Sequence, residues 1–220
     1  MLRRVLVPVV AVVVVAVVVV AALGVAGGSL VRAEFFPSSP EPGAVDVGFS
    51  QDMTVHHRQA VVMANTVRDF GTDPDVKLLA FDIGNGQLEQ IGRMQGWLTV
   101  WGKPATTQGP HMTWVPADSG HSGHAAGPAP DGPAMPGMAT EEELTTLKSL
   151  RGQELDIYFL RLMTRHHQGG APMMRAGERY ASTDMVRTFA ANMLVTQTGD
   201  IELMTSMLTK RGSTPLPPPV

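Results

Sequence analysis

Residues 53–64, MTVHHRQAVVMA, and residues 163–174, MTRHHQGGAPMM, share the pattern Met-Thr-x-His-His followed by a second Met ten positions after the first. The likeness reaches well beyond these two stretches. A shift of 110 residues aligns 46–102 with 156–212 without a gap, giving fifteen identities in 57 positions, from Asp46/Asp156 and Phe49/Phe159 through Gln87/Gln197 and Met94/Met204 to Gly102/Gly212. Duplication accounts for so many identities in one register, and it predicts two similar halves packed with approximate two-fold symmetry.

Each half reads as a helical hairpin. Phe49, Met53, His56, Ala60 and Met63 recur at spacings of four and three, which places them along one stripe of a helix; Phe159, Met163, His166, Gly170 and Met173 repeat it. The first helix stops at Gly71, after which Asp73 can cap a second helix and Pro74 suits its first position. That helix carries Val76, Ala80, Ile83, Gln87, Ile91, Met94 and Leu98 inward; its copy carries Val186, Ala190, Met193, Gln197, Ile201, Met204 and Leu208. The expected fold is therefore all-α, a four-helix bundle made of two duplicated helical hairpins. Pro172 is expected to kink or divide its helix.

Composition narrows the chemistry. The 220 residues include 14 Met and no Cys, with a net charge of -3. Disulfides, Cys-ligated zinc or iron-sulfur clusters and cysteine nucleophiles are excluded, and the charge offers no basic field for nucleic acid. Residues 5–26 are almost wholly apolar behind Arg3 and Arg4, and a helix over them would be about 33 Å long, enough to span a bilayer. The expected organisation is a membrane anchor or signal segment at 1–33 and a spacer at 34–44. The bundle follows at 45–212 and a Pro-rich tail at 213–220. Within the bundle, 45–102 is the first hairpin, 103–139 a flexible linker rich in Gly, Pro, His and Met, and 140–212 the second hairpin, its first helix capped by Thr140 and Glu143. The arginines stay in the cytoplasm and the bundle lies outside, anchored by one pass, or secreted if the leading segment is cleaved.

The paired motifs, together with Gln87-x-x-Gln90-Ile91-x-x-Met94-x-x-Trp97-Leu98 and Met135-Pro136-Gly137-Met138, resemble the bacterial family named domain of unknown function 305. The resemblance implies an exported or membrane-anchored ferritin-like bundle, with members linked to copper and silver binding or resistance. The chain differs from similar sequences at Gly170-Ala171-Pro172-Met173, where Ala-Val-x-Met is usual, and at Gln90 and Asp200, where many relatives have Glu.

The residues themselves suggest soft-metal binding. His56, His57, His166 and His167, with Met53, Met163, Met63 and Met173, form a set of imidazoles and thioethers suited to Cu(I) or Ag(I). Gln87 and Gln197 are expected to hydrogen-bond the imidazoles. His111, Met112, His121, His124, Met135 and Met138 are candidate linker ligands. Other methionines, such as Met94, Met193, Met204 and Met207, are read as core packing. No catalytic motif is present, and matched Glu and Glu-x-x-His ligands for a di-iron centre are absent from the sequence. The alternatives are a structural or partner-binding envelope module with no metal, and a copper-dependent oxidoreductase.

Overall fold

A computed structural model describes residues 41–116 and 135–218. The apolar stretch 5–26 and the whole of 1–33 lie outside the described residues, as do His121, His124 and most of the spacer. Among the described residues no helix is long and apolar enough to cross a membrane. They form five helices and no strand: α1 (Ala44–Phe70), α2 (Pro74–Val100), α3 (Glu141–Ser149), α4 (Gly152–Tyr180) and α5 (Asp184–Lys210).

Local chemistry sets the helix ends. Asp73 accepts from the backbone N–H of Asp75 at 2.9 Å and of Val76 at 3.3 Å, with Pro74 in the first turn where its missing N–H costs nothing. Thr183 caps α5. Thr140 and Glu143 close a reciprocal capping box on α3, and the Glu143 carboxylate is gripped by both terminal nitrogens of Arg165 on α4, at 2.8 and 2.5 Å. Pro172 does not divide the helix: α4 continues from Gly152 to Tyr180 with the proline inside it.

The two hairpins, α1–α2 and α4–α5, meet chiefly through α1 and α4, whereas α2 and α5 meet through side chains, Trp97 standing edge-on to Phe189 with ring centroids 4.9 Å apart. Two apolar clusters fill the interior. Met63, Val67, Phe159, Met163 and Met204 belong to one, and their repeat partners Met173, Phe49, Met53 and Met94 to the other. Fully burying such side chains contributes about 1.5–3 kcal/mol each. Along α1 and α4 the four histidines fall between these clusters, and all four are buried.

Asp46 and Asp156 lock the halves together. Asp46, on α1, accepts from Ser182 N at 2.8 Å, Thr183 N at 3.0 Å and Thr183 Oγ1 at 2.6 Å, in the turn of the other hairpin, as well as from Gly43 N. Asp156, on α4, accepts from Thr72 N at 3.2 Å, Thr72 Oγ1 at 3.0 Å and Asp73 N at 2.9 Å, in the turn of the first hairpin. Burial pushes the Asp46 carboxyl upward, but the bonds from Thr183, Ser182 and Gly43 outweigh it and hold the group below the usual carboxylate range. Asp46→Asn and Asp156→Asn, each replacing a carboxylate oxygen with a donor, are expected to destabilise the fold by similar amounts, about 1–2 kcal/mol. The midpoint of urea unfolding reads this; a wild-type midpoint for either variant would contradict it.

The connection expected to be flexible is packed at both ends. Asp52, buried on α1, accepts from Thr107 Oγ1 at 2.6 Å, Met112 N at 2.7 Å and Trp114 Nε1 at 2.8 Å, and lies 2.7 Å from His111 Nδ1. Trp114 in turn stands edge-on to Phe49, with ring centroids 5.9 Å apart. At the far end Gln59 pairs with both the N–H and the carbonyl of Ala139. A buried carboxylate needs donors, and the connection supplies them.

Candidate metal centre

Adjacent histidines on a helix point about 100° apart, so the two residues of each pair face different neighbours. The first of each pair meets its counterpart across the α1–α4 seam: the His56 and His166 rings lie 3.9 Å apart between centroids. The second points outward. His57 Nε2 is 2.7 Å from Gln90 Oε1 on α2, and His167 Nε2 is 3.2 Å from Asp200 Oδ2 on α5. Residues 90 and 200 are themselves repeat partners. Within each pair the centroids are 6.5 and 6.3 Å apart, so the pseudo-symmetry extends to the side chains.

Hydrogen bonding fixes the tautomers. Pro136 O, 3.2 Å from His56 Nε2, can only accept, and so can the Asp200 carboxylate beside His167 Nε2. Both histidines therefore donate from Nε2, and the neutral His56 ring carries a free lone pair on Nδ1. His57 has the same arrangement with Gln90 Oε1 as acceptor. In all three, Nδ1 is buried with no hydrogen-bond partner among the described residues. His166 approaches the His56 backbone, but neither of its ring nitrogens has a partner at hydrogen-bond geometry among the described residues. Five imidazole nitrogens are thus buried and unsatisfied, at a cost of about 1–3 kcal/mol for each such group.

Burial also keeps the His56, His57 and His166 rings neutral. It depresses His56 to about 4, partly offset by the Pro136 carbonyl and reinforced by His167. It depresses His57 to about 3, with His56 adding repulsion. His166 falls well below its ordinary value for the same reason, with His56 the nearest opposing ring. An unprotonated nitrogen whose ring N–H is donated to a carbonyl or carboxylate is the state in which histidine ligates metal.

One sulfur at a ring nitrogen belongs to a methionine read from sequence as packing. Met193 Sδ is 3.2 Å from His57 Nε2. Its repeat partner is Ile83, so the halves are unequal: one second histidine faces a thioether and an amide, the other a carboxylate. Met53 and Met173 lie in one apolar cluster, Met163 and Met63 in the other, so the predicted thioethers flank the histidines from both sides. Among the described residues no three His, Asp or Glu side chains are gathered as a metal would require. A site with more than two donors would therefore include thioethers.

Other expectations change. The predicted bonds from Gln87 and Gln197 to the imidazoles are not formed; positions 90 and 200, one turn along, meet the outward histidines, and both glutamine Oε1 atoms are buried without a partner among the described residues. His111 has its Nδ1 committed to Asp52, and Met112 is held by its backbone N–H on the same carboxylate. Met135 and Met138 are buried beside Met53 and Met173 in one cluster. Their loop lies backbone to backbone on α4: a Cβ at Gly169 would strike the Pro136 carbonyl, and one at Gly137 would come within 2.8 Å of Gly169 Cα. This close approach brings Pro136 O to His56.

The family profile described as domain of unknown function, DUF305, matches residues 46–208. The chain belongs to this family. Among solved DUF305 structures, one from Streptomyces coelicolor is 37% identical, with a TM-score of 0.69, over 79% of this chain and 97% of that one. A DUF305 fragment from Deinococcus radiodurans is 31% identical, with a TM-score of 0.62, over 78% and 99%. CopM in its Cu(I)-bound form shares the fold at 21% identity and a TM-score of 0.56, over 75% and 96%; CopM is also solved in Cu(II)-bound and Ag-bound forms. No curated protein matches the chain.

Proposed function

We propose that this DUF305 protein binds a soft monovalent ion, Cu(I) or Ag(I), at the histidine layer, and serves in metal buffering or tolerance. The observation that carries the reading is the set of buried imidazole nitrogens without partners, three of them on rings whose other nitrogen is already donating. A core histidine that only orders packing would have its polar atoms satisfied. The donors fit the ion: imidazole nitrogens without partners and a methionine-rich surround, with one carboxylate nearby. That CopM, of the same fold, is solved with Cu(I), Cu(II) and Ag supports the choice of metal. In this reading His56, His57, His166 and His167 are the first candidates for ligands, with Met53, Met63, Met163 and Met173 flanking. The apolar stretch 5–26 anchors the chain and the bundle works outside the membrane, where thioethers persist and thiols do not.

The test is a competition titration of the full chain with Cu(I) against a chromogenic chelator under reductant. The chain is expected to withdraw at least one equivalent, while Mg2+ and Ca2+ leave its melting temperature unchanged. Uptake no greater than that of a histidine-free helical bundle with as many methionines would sink the proposal and leave a structural or partner-binding module.

A further inference from the structure

The histidine layer is covered differently on its two sides. On one, the Met135–Pro136–Gly137–Met138 loop is pressed onto Gly169, with Met135 and Met138 buried. On the other, α2 and α5 meet at Trp97 and Phe189, and away from that contact a cavity of about 130 Å3 is lined by residues of both helices that include Asp82, Gln87, Gln90, Gln197 and Asp200. This cavity borders the layer at three points. Gln90 reaches His57, Asp200 reaches His167, and Gln197 Oε1 shares with His56 Cε1 the space beside Gly170, where a Cβ would stand 3.4 and 3.2 Å from them.

Two lining groups have no structural use there. Gln87 and Gln197 are 96% buried, each being 4% exposed, and their Oε1 atoms have no hydrogen-bond partner among the described residues. They are repeat partners on opposite helices. The two orphaned carbonyl oxygens lie buried beneath this cavity, that of Gln197 on the His56 side, and carboxylates at Asp82 and Asp200 line the cavity; such oxygens suit a cation and not an apolar ligand.

We propose that the cleft between α2 and α5 is the entry route for the metal, with Gln87, Gln197 and Asp200 forming an oxygen-lined waiting site outside the histidine layer. This rests on the function proposed above. Oxygen donors hold a soft ion weakly, so an ion pausing there passes on to imidazole and thioether instead of being trapped. Gly170 contributes by leaving out the methyl group that its repeat partner Ala60 carries, which keeps the space between Gln197 and His56 open.

The experiment measures loading rate apart from affinity. Cu(I) is supplied to the full chain as its acetonitrile complex, a monocation, and uptake is followed by stopped-flow ultraviolet absorbance. Gln87→Leu/Gln197→Leu is expected to slow uptake at least about tenfold, equivalent to about 1.4 kcal/mol at the barrier, with the equilibrium affinity within about threefold of the parent. Asp82→Asn, an exposed change that leaves the core intact, is expected to slow uptake and to weaken its salt dependence. Gln59→Ala, which loosens the opposite loop, is expected to leave the rate unchanged. Parent-like rates in both cleft variants, or faster loading in Gln59→Ala alone, would overturn the route while the binding function stands. Equal losses of rate and affinity in the glutamine pair would overturn the waiting site by making it part of the tight one. A parent that takes up no Cu(I) overturns the function and the route together.

Discussion

His166→Leu is expected to make the metal-free protein more stable, by about 1–3 kcal/mol, while lowering Cu(I) affinity at least about a hundredfold. Both changes trace to one side chain. His166 is fully buried and neither ring nitrogen has a partner at hydrogen-bond geometry among the described residues, so its imidazole pays desolvation without return. Leucine is close to it in size and brings no polar atom. His56→Leu is expected to give no such gain, because it leaves the Pro136 carbonyl without the donor it now has. Urea unfolding of the apo variants and a chelator competition read the two quantities separately. A loss of stability in His166→Leu with unchanged affinity is the signature of a packing histidine, and it would refute the metal assignment.

Acid is expected to unfold the apo protein well before its carboxylates protonate. His56 titrates at about 4 and His57 at about 3 in the folded state, against 6.5 when unfolded. Between those values the unfolded chain binds more protons than the native one, so stability is full above about pH 6.5 and falls as the pH drops toward the folded values. Each unit costs about 1.4 kcal/mol per histidine, so at pH 5 two such groups remove about 4 kcal/mol, and His166, shifted the same way, removes more. Asp46 has the opposite timing: its value is lowered from 3.8, so its contribution is lost only below that pH. Urea midpoints at pH 7.5, 6 and 5 test this. A flat profile over that range would mean the rings are solvated. Bound Cu(I) should hold the midpoint at pH 6, since a ligated nitrogen must first lose its metal to take a proton.

Much of the fold is legible in the sequence because its determinants are local or repeated. The stripes through Met53, His56 and Met63 and through Met163, His166 and Met173, the cap at Asp73 and the capping box at Thr140 all depend on neighbours within a turn or two. The duplication then supplies the pairing of halves. What was not legible lies where the copies diverge. Met193 stands opposite Ile83 in the repeat, and Asp52 opposite Leu162, so comparing the halves gave no signal for the thioether beside His57 or for the carboxylate that gathers residues 107–114. The partner of the outward histidine was placed one turn off, at 87 in place of 90, because helix periodicity fixes a face but not the register against a second helix. The loop at Met135 reads as flexible by composition; Gly137 in it and Gly169 on α4 are where the two backbones lie against each other.

The crossed arrangement of Asp46 and Asp156 bears on how such a chain arises. Each aspartate satisfies a turn in the other hairpin, so one hairpin by itself carries a buried acceptor with too few donors and a turn whose N–H groups lack their acceptor. Two identical half-length chains, set about a symmetry axis, would answer each other's needs through the same bonds. The present chain corresponds to such a homodimer made covalent, and joining frees its two copies to differ: the second carries a sulfur at residue 193 and a carboxylate at residue 200 where the first has Ile83 and Gln90.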